Sequence, residues 1–159
     1  MPPTDPAQAL CLSCGLCCDG SLFWGVSLEE GEVSPSPTDE AGVLRQPCAC
    51  FDGACTIYSA RPTECRAFTC HVLDAVTEGS RDRDWALAQI AGMRRILGAL
   101  DAVLPGDQRS LFRRTAEFLA REDADPDGPE GRERQEEIFL WASRYETALR
   151  AFRDLDEPD

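Results

Sequence analysis

Nine cysteines lie between Cys11 and Cys70, and the remainder of this 159-residue chain contains none. Thiolates are soft ligands, and reduced thiols grouped at short spacing point to metal or redox chemistry. In Cys11-Leu12-Ser13-Cys14-Gly15-Leu16-Cys17-Cys18, two residues separate successive thiols. That interval lets a tight turn aim both sulfurs of a pair at one ion, with Gly15 free to take the positive φ such a turn needs. Cys11 and Cys14 alone make a zinc-type pair. Three cysteines at two-residue intervals also match the bacterial ferredoxin run, whose fourth ligand comes from elsewhere. The spacing therefore indicates metal and leaves zinc and iron–sulfur both open. Cys17 and Cys18 add a further constraint, because neighbouring side chains in an extended or loop backbone point in different directions. One ion seldom takes both, so the pair predicts two neighbouring centres or two irons of one cluster. A strained vicinal disulfide is the less favourable alternative.

The second group, Cys48, Cys50, Cys55, Cys65 and Cys70, has wider intervals and supplies ligands singly from separate loops. Eight cysteines fill two tetrahedral four-sulfur sites and leave one over. His71, the single histidine, stands beside Cys70. A lone histidine is more often a surface or hydrogen-bonding residue than a replacement for a thiolate. Having one histidine excludes a two-His zinc protease motif and forces any Ser-His-Asp arrangement through His71. All 16 basic residues are arginine, so a phosphate-loop or Schiff-base lysine is absent.

A chain of this length folds as one domain without cross-links. Met1 to Leu10 has no basic residue and no apolar run, and no stretch is long and apolar enough to span a bilayer. These features predict a cytoplasmic protein, whose thiols stay reduced, and the odd cysteine count also argues against a disulfide scaffold. The formal net charge of -13 opposes attraction to nucleic acid or an anionic membrane. The expected partners are metal ions and a basic protein surface, with no nucleic acid and no membrane.

With these residues in place, a family pattern is visible. Cys11 to Cys18 reads CxxCxxCC, and it is followed by Pro47-Cys48, Cys55-Thr56-Ile57-Tyr58, Arg61-Pro62, Cys65-Arg66-Ala67-Phe68 and Cys70. Together these resemble the YkgJ-type cysteine-cluster family, described as zinc- or iron-chelating, over about the first half of the chain. The resemblance implies that Cys11, Cys14, Cys17, Cys18, Cys48, Cys55, Cys65 and Cys70 are the ligands. It makes Cys50 the surplus thiol, since the family usually has an apolar residue there. It implies metal binding and assigns no reaction. A related module occurs in flagellin lysine methylases, which are longer, and this chain has no recognisable S-adenosylmethionine site. Around the cluster, Pro62 tightens the turn between Cys55 and Cys65, and the Arg61 and Arg66 guanidinium groups are expected to donate to sulfur and offset its charge. Tyr58 is expected to be a packed ring with a bonded hydroxyl rather than a catalytic acid.

The elements that must position these residues differ between the halves. Residues 1–80 are punctuated by Ser34-Pro35-Ser36-Pro37, Pro47 and Asp52-Gly53, which predicts loops and short elements. Phe23 to Leu28 reads as a short strand, and Ser27 with Glu30 as a capping box for a brief helix. In residues 81–159, Trp85, Ala88, Ile96, Leu100 and Val103 predict a helix from Asp84 to Leu104, capped by Asp82 or Asp84 and stopped by Pro105-Gly106. A second helix is predicted from Gln108 to Arg121, with Leu111, Thr115, Phe118 and Leu119 on one face. An exposed acidic loop follows over Glu122 to Gly131. The third helix carries Ile138, Trp141, Ala142, Tyr145, Leu149 and Phe152 as a core stripe. The predicted fold is mainly α, an irregular, cysteine-rich, metal-organised N-terminal lobe packed on a small C-terminal helical bundle within one domain. The predicted function is metal binding, with iron–sulfur placed slightly ahead of zinc, in a structural, redox or metal-handling role. The alternatives are a component of an iron–sulfur-dependent protein-modifying enzyme and a zinc-organised interaction module.

Overall fold

The computed structural model describes residues 6–106, 110–120 and 128–155. In chain order the elements are α1 (Pro6–Cys14), β1 (Gly25–Ser27), β2 (Val43–Arg45), a 3₁₀ turn (Tyr58–Ala60), α2 (Thr63–Ala67), α3 (His71–Thr77), α4 (Arg83–Val103), α5 (Leu111–Leu119) and α6 (Gly128–Leu149). Helix accounts for 53% and strand for 6%, so the chain is mainly α.

The helical periodicity of the second half becomes the frame. Asp82 Oδ1 accepts the Trp85 N–H at 2.8 Å and caps α4, satisfying a backbone donor that the first turn leaves free. Ala86, Ile90, Met93, Leu97 and Leu100 are buried along one face. They pack with α6, whose Ile138, Ala142, Tyr145 and Leu149 are also buried. Each large apolar side chain so placed contributes about 1.5–3 kcal/mol. Ser110 caps α5 by accepting the Arg113 N–H at 3.0 Å, so that helix starts at Leu111. The ends of its predicted span, in 107–109 and at 121, lie outside the described residues. Leu119, expected on the inner face of α5, is half exposed at the end of that helix.

Two further expectations are corrected. The acidic loop predicted to reach Gly131 stops sooner, because α6 already begins at Gly128. Pro129 does not prevent this, because proline is tolerated in the first helical turn, where its missing N–H has no partner to lose. Residues 122–127 of that predicted loop lie outside the described residues. Ser27 and Glu30 cap no helix. Instead Glu32 N–H donates to the Glu29 carbonyl at 3.0 Å and Glu29 N–H to Glu32 Oε2 at 3.2 Å. Gly31, at φ 79, reverses the chain between them.

The predicted strand survives as β1, paired antiparallel with β2 in the register Gly25↔Arg45, Val26↔Leu44 and Ser27↔Val43. Between them, Asp39 Oδ1 accepts the N–H groups of Ala41 and Val43, each at 3.0 Å. Helix α1 packs on α3, α3 on α4, and α2 on β1. Leu10, Leu16, Leu22 and Val72 from the first half join the core formed by α4 and α6. The Tyr145 hydroxyl donates to the Ser21 carbonyl, Arg153 Nη1 to the Leu22 carbonyl at 3.1 Å, and His71 N–H to the Phe152 carbonyl at 3.0 Å. Gly20 lies where a Cβ would stand 2.9 Å from Ser110 Cα, at φ 83. Glycine thereby lets the turn after Cys18 touch the start of α5. Among the described residues no helix is long and apolar enough to cross a membrane.

Candidate metal centre

The first cysteine run is part helix and part turn. Cys11 and Cys14 occupy the last turn of α1, where residues three apart share a face. This departs from the tight turn predicted for the pair. The helix ends at Gly15, whose φ of 68 is the positive value expected of it. The Gly15 carbonyl then accepts the N–H groups of Cys18 at 2.9 Å and Asp19 at 3.0 Å, coiling the chain so that Cys17 and Cys18 follow at once. Glycine is required here for a second reason: a Cβ on Gly15 would stand 2.5 Å from Phe51 Cζ.

The remaining thiols arrive one by one. Cys48 N–H donates to the Cys18 carbonyl at 2.8 Å, tying the two groups together. Cys48 Sγ accepts the Cys50 N–H at 3.4 Å and lies 3.8 Å from Ser36 Oγ. A bridge between Phe51 and Cys55 closes the Asp52-Gly53 turn. Cys65 rides on α2, whose N-terminus is held by Glu32 Oε1, accepting from Thr63 N at 2.8 Å and Thr63 Oγ1 at 3.0 Å. Cys70 is the N-cap of α3, its Sγ accepting the Leu73 N–H at 3.4 Å.

All nine cysteines are free and half-buried. Cys11, Cys14, Cys17, Cys18, Cys48, Cys55, Cys65 and Cys70 line one cavity of about 950 Å³, and Cys50 does not. Tyr58 and Arg61 line it as well. Arg61 sits 3.6 Å above the Tyr58 ring and donates from Nε to the Tyr58 carbonyl at 3.0 Å. Its positive charge acts on Cys11 and Cys65. Arg66, expected beside sulfur, instead donates from Nη2 to Thr63 Oγ1 at 3.2 Å and does not line the cavity. The hydroxyl three residues back on the same short helix is the nearer partner. His71 reaches the rim, with Nε2 3.7 Å from Asp154 Oδ2 and its side chain 45% exposed. Arg94 has no sequence signal, being 80 residues from the Cys14 carbonyl to which it donates.

The thiols share a cavity without converging on a point. Among the described residues, no group of three or more His, Cys, Asp and Glu side chains stands close enough to hold one ion. Burial pushes the Cys14 thiol up to about 11, Cys18 up to about 12 and Cys65 up to about 11. It also raises Cys11 and Cys70, and Cys17 by more. Neighbouring thiols add to the rise for each of these, because one thiolate disfavours the next. Such a cavity stabilises many thiolates together only when a cation enters with them. The donor set fits zinc or iron–sulfur in kind, and ligation requires the walls to draw together.

The chain matches no protein-family model, no curated protein and no solved structure. The functional reading accordingly stands on the thiols and the walls that hold them.

Proposed function

We propose that this chain is a metal-binding cysteine-cluster protein of the YkgJ type. Cys11, Cys14, Cys17, Cys18, Cys48, Cys55, Cys65 and Cys70 hold its metal, in a structural, redox or metal-handling role. One observation carries this reading: eight of nine cysteines face one cavity and Cys50 is the exception. The family pattern, read from sequence alone, divides the cysteines in the same way. Zinc supplies a closed tetrahedral node, whereas an iron–sulfur cluster supplies an electron-accepting centre. Arg61 offsets thiolate charge at Cys11 and Cys65, and Arg94 pins the carbonyl of Cys14. Residues 1–80 form the metal-organised lobe, packed on the helices of 81–159. The sparse burial between Phe23 and His71, where Leu44 and Pro62 are the two buried apolar side chains, supports that division. The reading further places the protein in a reducing cytoplasm with a basic protein surface as partner, consistent with nine free thiols and a net charge of -13.

Protein purified without oxygen is expected to be brown and to contain iron and acid-labile sulfide, with zinc entering on aerobic isolation. Colourless anaerobic protein with stoichiometric zinc would select the zinc form. Protein holding neither metal would reject the reading. Cys50→Ser should keep the full metal content, while Cys48→Ser and Cys55→Ser each lower it. Metal lost from Cys50→Ser with Cys48→Ser unaffected would make Cys48 the surplus thiol and Cys50 the ligand.

Loading should also displace protons. Because burial raises the Cys11, Cys14, Cys17, Cys18, Cys65 and Cys70 thiols and keeps them protonated at neutral pH, zinc entering at pH 7 is expected to release close to one proton from each of them, about six per chain. Acidification opposes loading and alkaline pH favours it. Calorimetry in buffers of differing ionisation enthalpy measures this number, and a value near zero would mean that the thiols are not the ligands.

A further inference from the structure

The eight cavity thiols do not form one uniform set. Cys14, Cys17 and Cys70 pack against the hydrophobic core, alongside Leu10, Leu16 and Val72. The other five are not among the side chains packed against it. Cys11 shares the last turn of α1 with Cys14, and α1 packs on α3, which Cys70 caps. On the other side, Cys48 is bonded through its backbone to Cys18, Cys55 ends the loop that begins near Cys48, and Cys65 rides on α2 against β1. Mutual electrostatic influence follows the same division for Cys17, Cys18 and Cys65, whereas the thiol that acts on Cys11 is Cys55. Cys17 responds most to Cys70, then to Cys11 and Cys14. Cys18 responds to Cys55, Cys48 and Cys65 before Cys11, and Cys65 responds to Cys48 and Cys55.

We infer that the cavity holds two interleaved centres, a core-side one on Cys11, Cys14, Cys17 and Cys70 and an outer one on Cys18, Cys48, Cys55 and Cys65. This inference rests on the metal-binding function proposed above. The adjacent pair Cys17 and Cys18 is divided between the centres, as neighbouring side chains with diverging directions require. Cys11 stands at the boundary, within charge reach of both groups. The outer group already has four thiols, and the shared helical turn assigns Cys11 to the core side. The two centres differ in setting. The core-side ligands belong to elements that the apolar core holds in place, so this centre is the slowly exchanging one. The outer ligands come from loops and short elements, so this centre is the exchangeable one.

The test uses the full-length chain loaded with zinc. Wild type is expected to bind about two zinc ions and to release them to a chelator in two phases of similar amplitude. Cys55→Ser and Cys65→Ser should each remove the fast phase and halve the zinc content, and the double variant should lose no more than either alone. Cys17→Ser should remove the slow phase, and Cys17→Ser combined with Cys65→Ser should lose both. If Cys17→Ser fails to fold by circular dichroism, the Cys55 and Cys65 variants decide alone. Complete loss of zinc in either, or additive losses in their double variant, would overturn the partition while leaving metal binding intact. A wild-type chain that binds no zinc and no iron would instead overturn the function on which the partition rests.

Discussion

Removing the metal is expected to melt residues 23–69 while α4 and α6 stay paired. Across that segment Leu44 and Pro62 are the two buried apolar side chains, and the elements are short. Strands β1 and β2 have three residues each and α2 has five, lengths that do not sustain a strand pair or a helix alone. Ordering a residue costs about 1–2 kcal/mol of backbone entropy, and this stretch buries too little apolar surface to offset it. A four-thiolate zinc site contributes about 10–16 kcal/mol when it couples to folding. The other side of the boundary has its own support, since α4 and α6, at 21 and 22 residues, share the apolar core. The turn through Leu16 and Leu22 also belongs to that core, so the first half should melt in part. Hydrogen exchange on chelated, reduced protein reads this directly. Amides of residues 25–27, 43–45 and 63–67 should lose protection, while those of 86–100 and 138–149 keep it. Native protection throughout 23–69 in metal-free protein would show that the loops hold themselves.

The same contrast governs what is legible in the sequence. Helix α4 is legible because its apolar residues repeat at helical spacing for several turns and Asp82 stands at a capping distance. Helix α1 is hidden by an ambiguity of period: Cys11 and Cys14 are three apart, which suits both a metal-binding turn and one face of a helix. Helices α2 and α3, of five and seven residues, are too short for periodicity to distinguish from loop. The membership of the cavity is legible only through the family resemblance, which sets Cys50 apart from the other eight, since the two-residue intervals from Cys11 to Cys17 indicate metal without naming the distant thiols. Its neighbours are not. Glu32 reaches Thr63 across 31 residues and Arg94 reaches Cys14 across 80, distances at which only the tertiary fold decides who meets whom. Arg66 illustrates the opposite failure, where a long-range sulfur partner loses to Thr63 on its own helix.

Replacing Tyr145 is expected to have the largest effect of any single substitution in the helical half. The side chain is 2% exposed, its ring lies in the core, and its hydroxyl donates to the Ser21 carbonyl. Burial pushes the hydroxyl far above its ordinary value, so it stays a neutral donor at every physiological pH. Tyr145→Ala removes a large aromatic ring and leaves a cavity, which should cost about 3–5 kcal/mol in urea unfolding. Tyr145→Phe keeps most of the packing and strands the Ser21 carbonyl, so about 1–3 kcal/mol is expected. The position also matters to the cysteines. Ser21 follows Cys17 and Cys18 by a few residues, and its bond to Tyr145 ties the turn that presents them to α6. Zinc-loaded Tyr145→Phe should therefore release its core-side metal faster than wild type while holding the same amount at saturation. Unchanged release together with unchanged stability would show that the core anchors this turn through Leu16 and Leu22 alone.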